Sequence, residues 1–132
     1  MNKTVLILIF ALIFAVSNAA AQKLLCFENQ GLKEIHRISF KLKGKIISEG
    51  IYETMGYDTD TSTETFKFSG TKTGNRLTIK FARTIPYERP PRTKAIVWTL
   101  SKNVLKVPTY GKNYETDKFT VYTADYEPCR KN

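Results

Sequence analysis

The sequence predicts an all-β fold: about eight short strands in a single antiparallel meander that closes as a small barrel. Apolar and polar residues alternate with a period of two along most of the chain, and no window has the 3.6-residue period of a helix. The two cysteines, Cys26 and Cys129, lie near the two ends of the predicted domain. A disulfide between them would make the first and last strands neighbours, as closure of a barrel requires. A two-sheet sandwich is the alternative, since short strands with local turns also build sandwiches.

Residues 1–21 have the pattern of a signal peptide, which leaves residues 22–132 as a single β domain. Lys3 precedes an apolar run from Val5 to Val16, and small residues end at Ala21. The run is shorter than the roughly 20 residues that cross a membrane, and no later stretch is longer, so we expect no transmembrane segment in the mature chain. An exported protein, periplasmic or secreted, is the resulting expectation.

An oxidising compartment favours a structural disulfide between Cys26 and Cys129. Lipid attachment at Cys26 is an alternative, but it needs small residues before the cysteine, where Lys23 and Leu25 stand. Two free thiols, one of them reactive, would require a positive and partly exposed setting that the sequence does not specify. The disulfide would link the terminal strands and close a loop of about 100 residues, which stabilises a chain by roughly 4.7 kcal/mol in the chain-entropy model.

The first half of the domain contains alternating segments and polar turns. A strand is predicted from His36 to Leu42, followed by a turn at residues 43–45. The next strand, from Ile46 to Thr54, has apolar residues on both parities, and Gly50 is predicted to mark a β-bulge there. Residues 55–62 are polar and typical of a turn. Phe66 and Phe68 then resume the alternation.

The second half begins with a hairpin whose turn is predicted within residues 70–75, followed by a strand carrying Leu77, Ile79 and Phe81. Residues 84–93 include three prolines and are predicted to form an irregular loop. Strands around Ile96–Leu100 and 105–107 follow. The last strand, from Lys118 to Tyr126, has apolar residues on both parities, so we expect it to be covered on both sides or to close against the first strand.

Charge is distributed unevenly along the chain. The sequence has 21 Lys and Arg residues against 12 Asp and Glu, a formal net charge of +9. Residues 70–112 contain ten basic residues and one acidic residue, Glu88, whereas the segments on either side are close to neutral. Because consecutive strands of a meander are neighbours, this segment predicts a basic face. Its candidate binding residues are Arg76, Lys80, Arg83, Arg89, Arg92, Lys94 and Lys106, with Tyr87 and Tyr110 placed to stack on rings of a ligand.

A focused basic face attracts anions, so an acidic macromolecule is the expected partner: an anionic glycan, an acidic protein, nucleic acid outside the cell or an anionic surface. The alternative interpretation is a solvated surface that aids solubility and binds nothing specific.

No catalytic residue, metal site or cofactor is predicted. His36 is the only histidine and shares the parity of apolar residues, which indicates a structural role. Residues Asp58, Asp60 and Ser62 resemble the start of a calcium loop, but Thr63 replaces its glycine and Ser69 its bidentate glutamate. Zinc spacing, a phosphate-binding glycine loop and a dinucleotide fingerprint are missing from the sequence.

The sequence therefore predicts a non-enzymatic exported binding module, which we expect to be a monomer. An inhibitor of a secreted enzyme, acting through loops 55–62 and 84–93, is an alternative. The pattern is also similar in architecture to secreted calycin-type meanders, which host many functions. A lipocalin-like carrier of a small apolar ligand is thus another alternative, although Phe66, Phe68, Phe81 and Trp98 are expected to fill a barrel of this size.

Overall fold

A computed structural model describes residues 21–57 and 63–131 as eight antiparallel strands that form a closed barrel. Each strand pairs with the next one along the chain, and the last pairs with the first. The strands are β1 (Gln22–Gln30), β2 (Glu34–Lys43), β3 (Ile46–Gly56), β4 (Glu64–Thr73), β5 (Arg76–Phe81), β6 (Ile96–Ser101), β7 (Val104–Asn113) and β8 (Lys118–Pro128). The predicted meander is confirmed, and it is a barrel rather than a sandwich.

The irregular pattern of β3 has its origin in a bulge. The register between β3 and β4 shifts between Ile47 and Gly50, and Glu49 has a φ of 49°. The bulge reverses the parity of the strand, so Ile47 and Tyr52 both point into the core. Gly50 is required because a Cβ there would overlap the ring of Phe68 on β4. The predicted bulge at Gly50 is confirmed.

The turn between β4 and β5 is tighter than the sequence suggested. Thr73 pairs directly with Arg76, so only Gly74 and Asn75 lie in the turn, and residues 70–73 belong to β4. Gly74 has a φ of 60°, a conformation that glycine adopts without steric cost. Since the strands continue to the turn, the register of the whole hairpin is fixed.

The barrel closes at its disulfide. The Cα atoms of Cys26 and Cys129 lie 5.4 Å apart, and the Cys129 N–H donates to the Cys26 carbonyl at 3.0 Å. The ladder between β1 and β8 contains two residue pairs, Phe27 with Pro128 and Glu28 with Glu127. The predicted link between the terminal strands is therefore confirmed.

Of the two alternatives expected for β8, closure against the first strand is confirmed, and coverage on both sides is not observed. Val121 is 59% exposed and Tyr122 57% exposed. The first half of β8 pairs with the end of β7, and this two-stranded ribbon extends beyond the packed part of the barrel. Only the C-terminal part of β8, where Tyr126 is buried, closes the core against β1.

The core is aromatic and closely packed. Trp98 and Phe40 are fully buried, and the rings of Phe68 and Trp98 lie 5.2 Å apart between centroids. Phe81 contacts both Phe68 and Trp98, at 5.7 and 6.2 Å. Burial of an aromatic side chain contributes about 1.5–3 kcal/mol, so this cluster is a major source of stability.

Residues 82–95, which we call the proline loop, connect β5 to β6 and pack against one end of the barrel. The ring of Tyr87 lies 6.2 Å from that of Tyr52 and 6.3 Å from that of Phe81. The indole N–H of Trp98 donates to the Tyr87 hydroxyl at 3.2 Å. Tyr114, beyond the end of β7, donates to the Glu88 carboxylate at 2.6 Å. The irregular loop predicted here is confirmed, and these contacts fix its position.

Two predictions concern segments that the structure does not describe. The signal peptide falls almost wholly within residues 1–20, and the calcium-like sequence falls on residues 58–62, both outside the described residues. Within the described part of the chain, no helix is long and apolar enough to cross a membrane.

A candidate cationic binding surface

The outer face of β5 carries a positive charge at each end, with the uncharged Thr78 between the two. Leu77, Ile79 and Phe81 point into the core, so Arg76 and Lys80 point outward and are exposed. The strand is rigid and its register with both neighbours is fixed, which places these two charges about 13 Å apart along the strand. The alternation in the sequence is sufficient to predict this orientation.

Strand pairing extends the positive surface from β5 to β7. Arg76 pairs with Thr99 on β6, and Thr99 pairs with Lys106 on β7. Arg76 and Lys106 therefore flank Thr99 on the same face, with Cα atoms about 10 Å apart, two strand spacings. The structure brings these two predicted residues together although thirty positions separate them in the chain.

Lys67 on β4 is a member of this surface that the sequence reading missed. It is exposed, and it lies diagonally across from Lys80, because Ser69 is the residue that pairs with Lys80. Diagonal neighbours of this kind are about 7–8 Å apart. Lys67 was overlooked because it belongs to a segment with balanced charge. The predicted β4–β5 hairpin could have identified this residue, because strand pairing in the hairpin brings Lys67 next to the basic segment.

We call the outward-facing residues Lys67, Arg76, Lys80 and Lys106 the cationic wall. Glu64, at the first position of β4, is the only acidic residue in strands β4 to β7. On the neighbouring strand, Asp125 lies 3.5 Å from the Lys106 ammonium. Both side chains are about half exposed, so this pair contributes little and leaves the surface positive.

The predicted residues in and beside the proline loop occupy other positions around the wall. Arg83 and Lys67 line the same shallow cleft between β4 and the start of the loop. Arg92 lies near Lys112, where the loop meets the β7–β8 ribbon, and Lys94 is exposed. The basic residues thus form a band from the outer wall to the end of the barrel rather than one compact cluster.

Lys112 is held at the end of this band. Its ammonium lies 3.0 Å from Asp117 and 5.3 Å and 5.7 Å from the ring centroids of Tyr114 and Phe119. The hydrogen bond to Asp117 raises the pKa of Lys112 above its usual value. Lys112 therefore remains charged at every physiological pH, although Asp117 offsets its charge locally.

Tyr87, Tyr110 and Arg89 meet at a cleft on the outside of the barrel. The cleft has a volume of about 140 Å³ and lies between the proline loop and strands β6 and β7. Its other lining residues are Thr93, Ala95, Ile96, Val97 and Pro108. One of the two tyrosines, Tyr87, packs its ring on the core and is half-buried, whereas Tyr110 lies on β7 at the outer side.

His36 takes part in a hydrogen-bonded network near the same end of the barrel as the proline loop. Its Nε2 lies 3.0 Å from the Glu34 carboxylate, which can only accept, so Nε2 carries the hydrogen. Its Nδ1 lies 3.0 Å from the Tyr52 hydroxyl, which in turn lies 3.1 Å from that of Tyr126. This network satisfies buried hydroxyl groups, in keeping with a structural role.

The chemistry of the network does not favour nucleophilic catalysis. Burial raises the pKa of Tyr52 well above its usual range and that of Tyr126 to about 12. Both hydroxyl groups therefore remain protonated at neutral pH, whereas a tyrosine nucleophile needs a lowered pKa. Within residues 21–57 and 63–131, no group of three or more His, Cys, Asp or Glu residues is placed to hold a metal ion.

No family model, curated protein or solved structure matches this chain.

Proposed function

We propose that this protein is an exported, non-enzymatic binding module whose cationic wall binds an acidic macromolecule. One observation supports the proposal above all others. Four exposed cations lie on the outer face of the sheet segment β4 to β7, and the only carboxylate in these four strands is at the first position of β4.

Strand pairing holds the backbone positions of these charges near one another. Like charges held near one another repel, and a bound polyanion relieves that repulsion while adding attractive contacts. Strand pairing fixes the spacing of the Cα atoms, whereas each lysine or arginine side chain that a partner immobilises costs about 0.5–1.5 kcal/mol of rotamer freedom. Exposed charges also accelerate the encounter with an anionic partner at low salt.

The alternatives receive less support. An inhibitor acting through residues 84–93 would present a loop whose Ile85 and Tyr87 are packed against the barrel. A carrier would need space between Phe68, Phe81 and Trp98, whose rings contact one another directly. Neither arrangement offers a feature as specific as the cationic wall.

Charge reversal tests the proposal. The double variant Arg76→Glu/Lys80→Glu changes the wall, and Lys23→Glu/Lys33→Glu changes net charge equally at exposed positions on β1 and the loop that follows it. Strand order places β1 across the barrel from β5. Fluorescence anisotropy with labelled polyglutamate and with labelled heparin, at 50 mM and 200 mM salt, measures the affinity of each form.

The wild type is expected to bind at least one of the two polyanions, with an affinity that falls as salt rises. The wall variant is expected to lose at least tenfold in affinity, and the control variant less than threefold. Equal losses in the two variants would mean that net charge, not the wall, determines binding. The proposal would also fail if neither polyanion bound the wild type at 50 mM salt.

A further inference from the structure

The cleft between the proline loop and the outer face of β6 is apolar along most of its lining. Ala95, Ile96, Val97 and Pro108 form its floor and one side. Its volume of about 140 Å³ resembles that of engineered cavities of about 150 Å³, which hold one benzene molecule. One aromatic ring or one branched aliphatic side chain is therefore the largest group that fills it well.

Arg89 supplies a positive charge at this cleft. The residue is half-buried, and its guanidinium donates to the Thr93 carbonyl at 2.6 Å, which fixes its orientation. No carboxylate lies within ion-pair distance of it among the described residues. The adjacent Glu88 accepts a hydrogen bond from Tyr114. A guanidinium of this kind can bind a carboxylate through its remaining N–H groups.

The cleft is continuous with the cationic wall. Val97 lines the cleft, and Thr99 is the next outward-facing residue on β6, about 7 Å further along the strand. Arg76 and Lys106 flank Thr99. A partner bound to the wall therefore lies within one side-chain length of the cleft.

We infer that the acidic partner is a protein, and that it inserts one apolar side chain into this cleft while a neighbouring carboxylate binds Arg89. This inference rests on the proposed function and specifies its partner. Protein interfaces characteristically combine a small apolar pocket, filled by an anchor residue, with a charged rim. A sulfated glycan has no such apolar group. A nucleic-acid base would place most of its polar edge against the apolar part of the lining, where Arg89 alone offers a charged donor, and burial of the remaining polar groups is costly.

Two acidic peptides of equal charge test the inference on the full-length protein. One has a phenylalanine between two runs of four glutamates, and the other has alanine at that position. Burial of a phenyl ring is expected to give the first peptide at least tenfold higher affinity for the wild type, measured by isothermal titration calorimetry.

The variant Ala95→Leu partly fills the cleft from an exposed position, and Gln22→Leu places a leucine at an exposed position on β1, across the barrel from the wall. In Ala95→Leu the preference for the phenylalanine peptide is expected to fall below twofold, whereas Gln22→Leu keeps it. Both variants are expected to bind the alanine peptide and heparin as the wild type does. These two ligands therefore report that the variants are folded and that the wall is intact.

Equal affinities of the wild type for the two peptides would overturn the inference while leaving the proposed function standing, provided that both peptides bind. A nine-residue oligothymidylate whose affinity falls in Ala95→Leu but not in Gln22→Leu would also overturn it, because a base would then be the occupant. Failure of every polyanion to bind would instead reject the proposed function on which the inference rests.

Discussion

At the scale of single residues, the tyrosines have the most specific environments. Tyr52 and Tyr126 share a hydrogen bond inside the barrel, and Tyr87 accepts one from Trp98 at the barrel end. From the sequence, Tyr87 was predicted only to lie near basic residues, and its packing against the core was not predicted. An irregular loop has no periodicity that indicates which of its side chains point inward. The inward parity of His36, by contrast, followed from the alternation of its strand.

These tyrosines predict a loss of stability at alkaline pH. Burial raises the pKa of Tyr87 and of Tyr126 to about 12, whereas tyrosines of the unfolded chain ionise near pH 10. The unfolded state therefore loses protons first, so stability is intact below pH 10 and declines as the pH rises towards 12. Each of the two residues accounts for a decrease of about 2–3 kcal/mol once both states have ionised.

Urea denaturation at pH 8, 10 and 11, with tyrosinate absorbance followed in parallel, measures this effect. The midpoint is expected to decrease between pH 10 and 11, and part of the tyrosinate signal is expected to appear only on unfolding. Complete ionisation of all seven tyrosines in the folded protein near pH 10 would contradict the burial of these hydroxyl groups.

At the scale of strands and turns, the sequence predicted most elements because alternation is strong wherever one face is buried. β5 is the clearest case, with three buried residues alternating with three exposed ones. The parity conflict around Gly50 predicted a bulge. The register between strands was harder to predict from the sequence. The pairing of Ser69 with Lys80, which adds Lys67 to the cationic wall, depends on the number of residues in the turn at Gly74.

The bulge gives a prediction for Gly50. In Gly50→Ala the new methyl group would overlap the Phe68 ring, which is buried and has little space to move. Overpacking of this kind lowers the free energy of unfolding by about 1–3 kcal/mol. In the matched variant Gly111→Ala, the methyl group meets nothing within 4 Å, and its effect is expected to be close to zero. Urea denaturation compares the two, and equal stabilities would contradict the observed packing of β3 on β4.

At the scale of the whole molecule, the positions of the two cysteines in the sequence predicted that the first and last strands meet and close the barrel. The bond between Cys26 and Cys129, 103 positions apart, supplements a β1–β8 ladder of only two residue pairs. The positions of the charges could be predicted only in part. Alternation identified Arg76, Lys80 and Lys106 as outward-facing, but the separation of Arg92 and Lys94 from the wall depends on the path of the proline loop.

The outer face of β4 to β7 is proposed to bind an acidic macromolecule. The most direct test of this proposal is a titration of the ¹⁵N-labelled protein with polyglutamate and, separately, with heparin, followed by amide chemical shifts. The largest shift changes are expected to cluster at Lys67, Arg76, Lys80, Thr99 and Lys106, while β1 and β2 change little. Changes centred on β1 and β2, or spread evenly over every exposed lysine and arginine, would contradict the proposal.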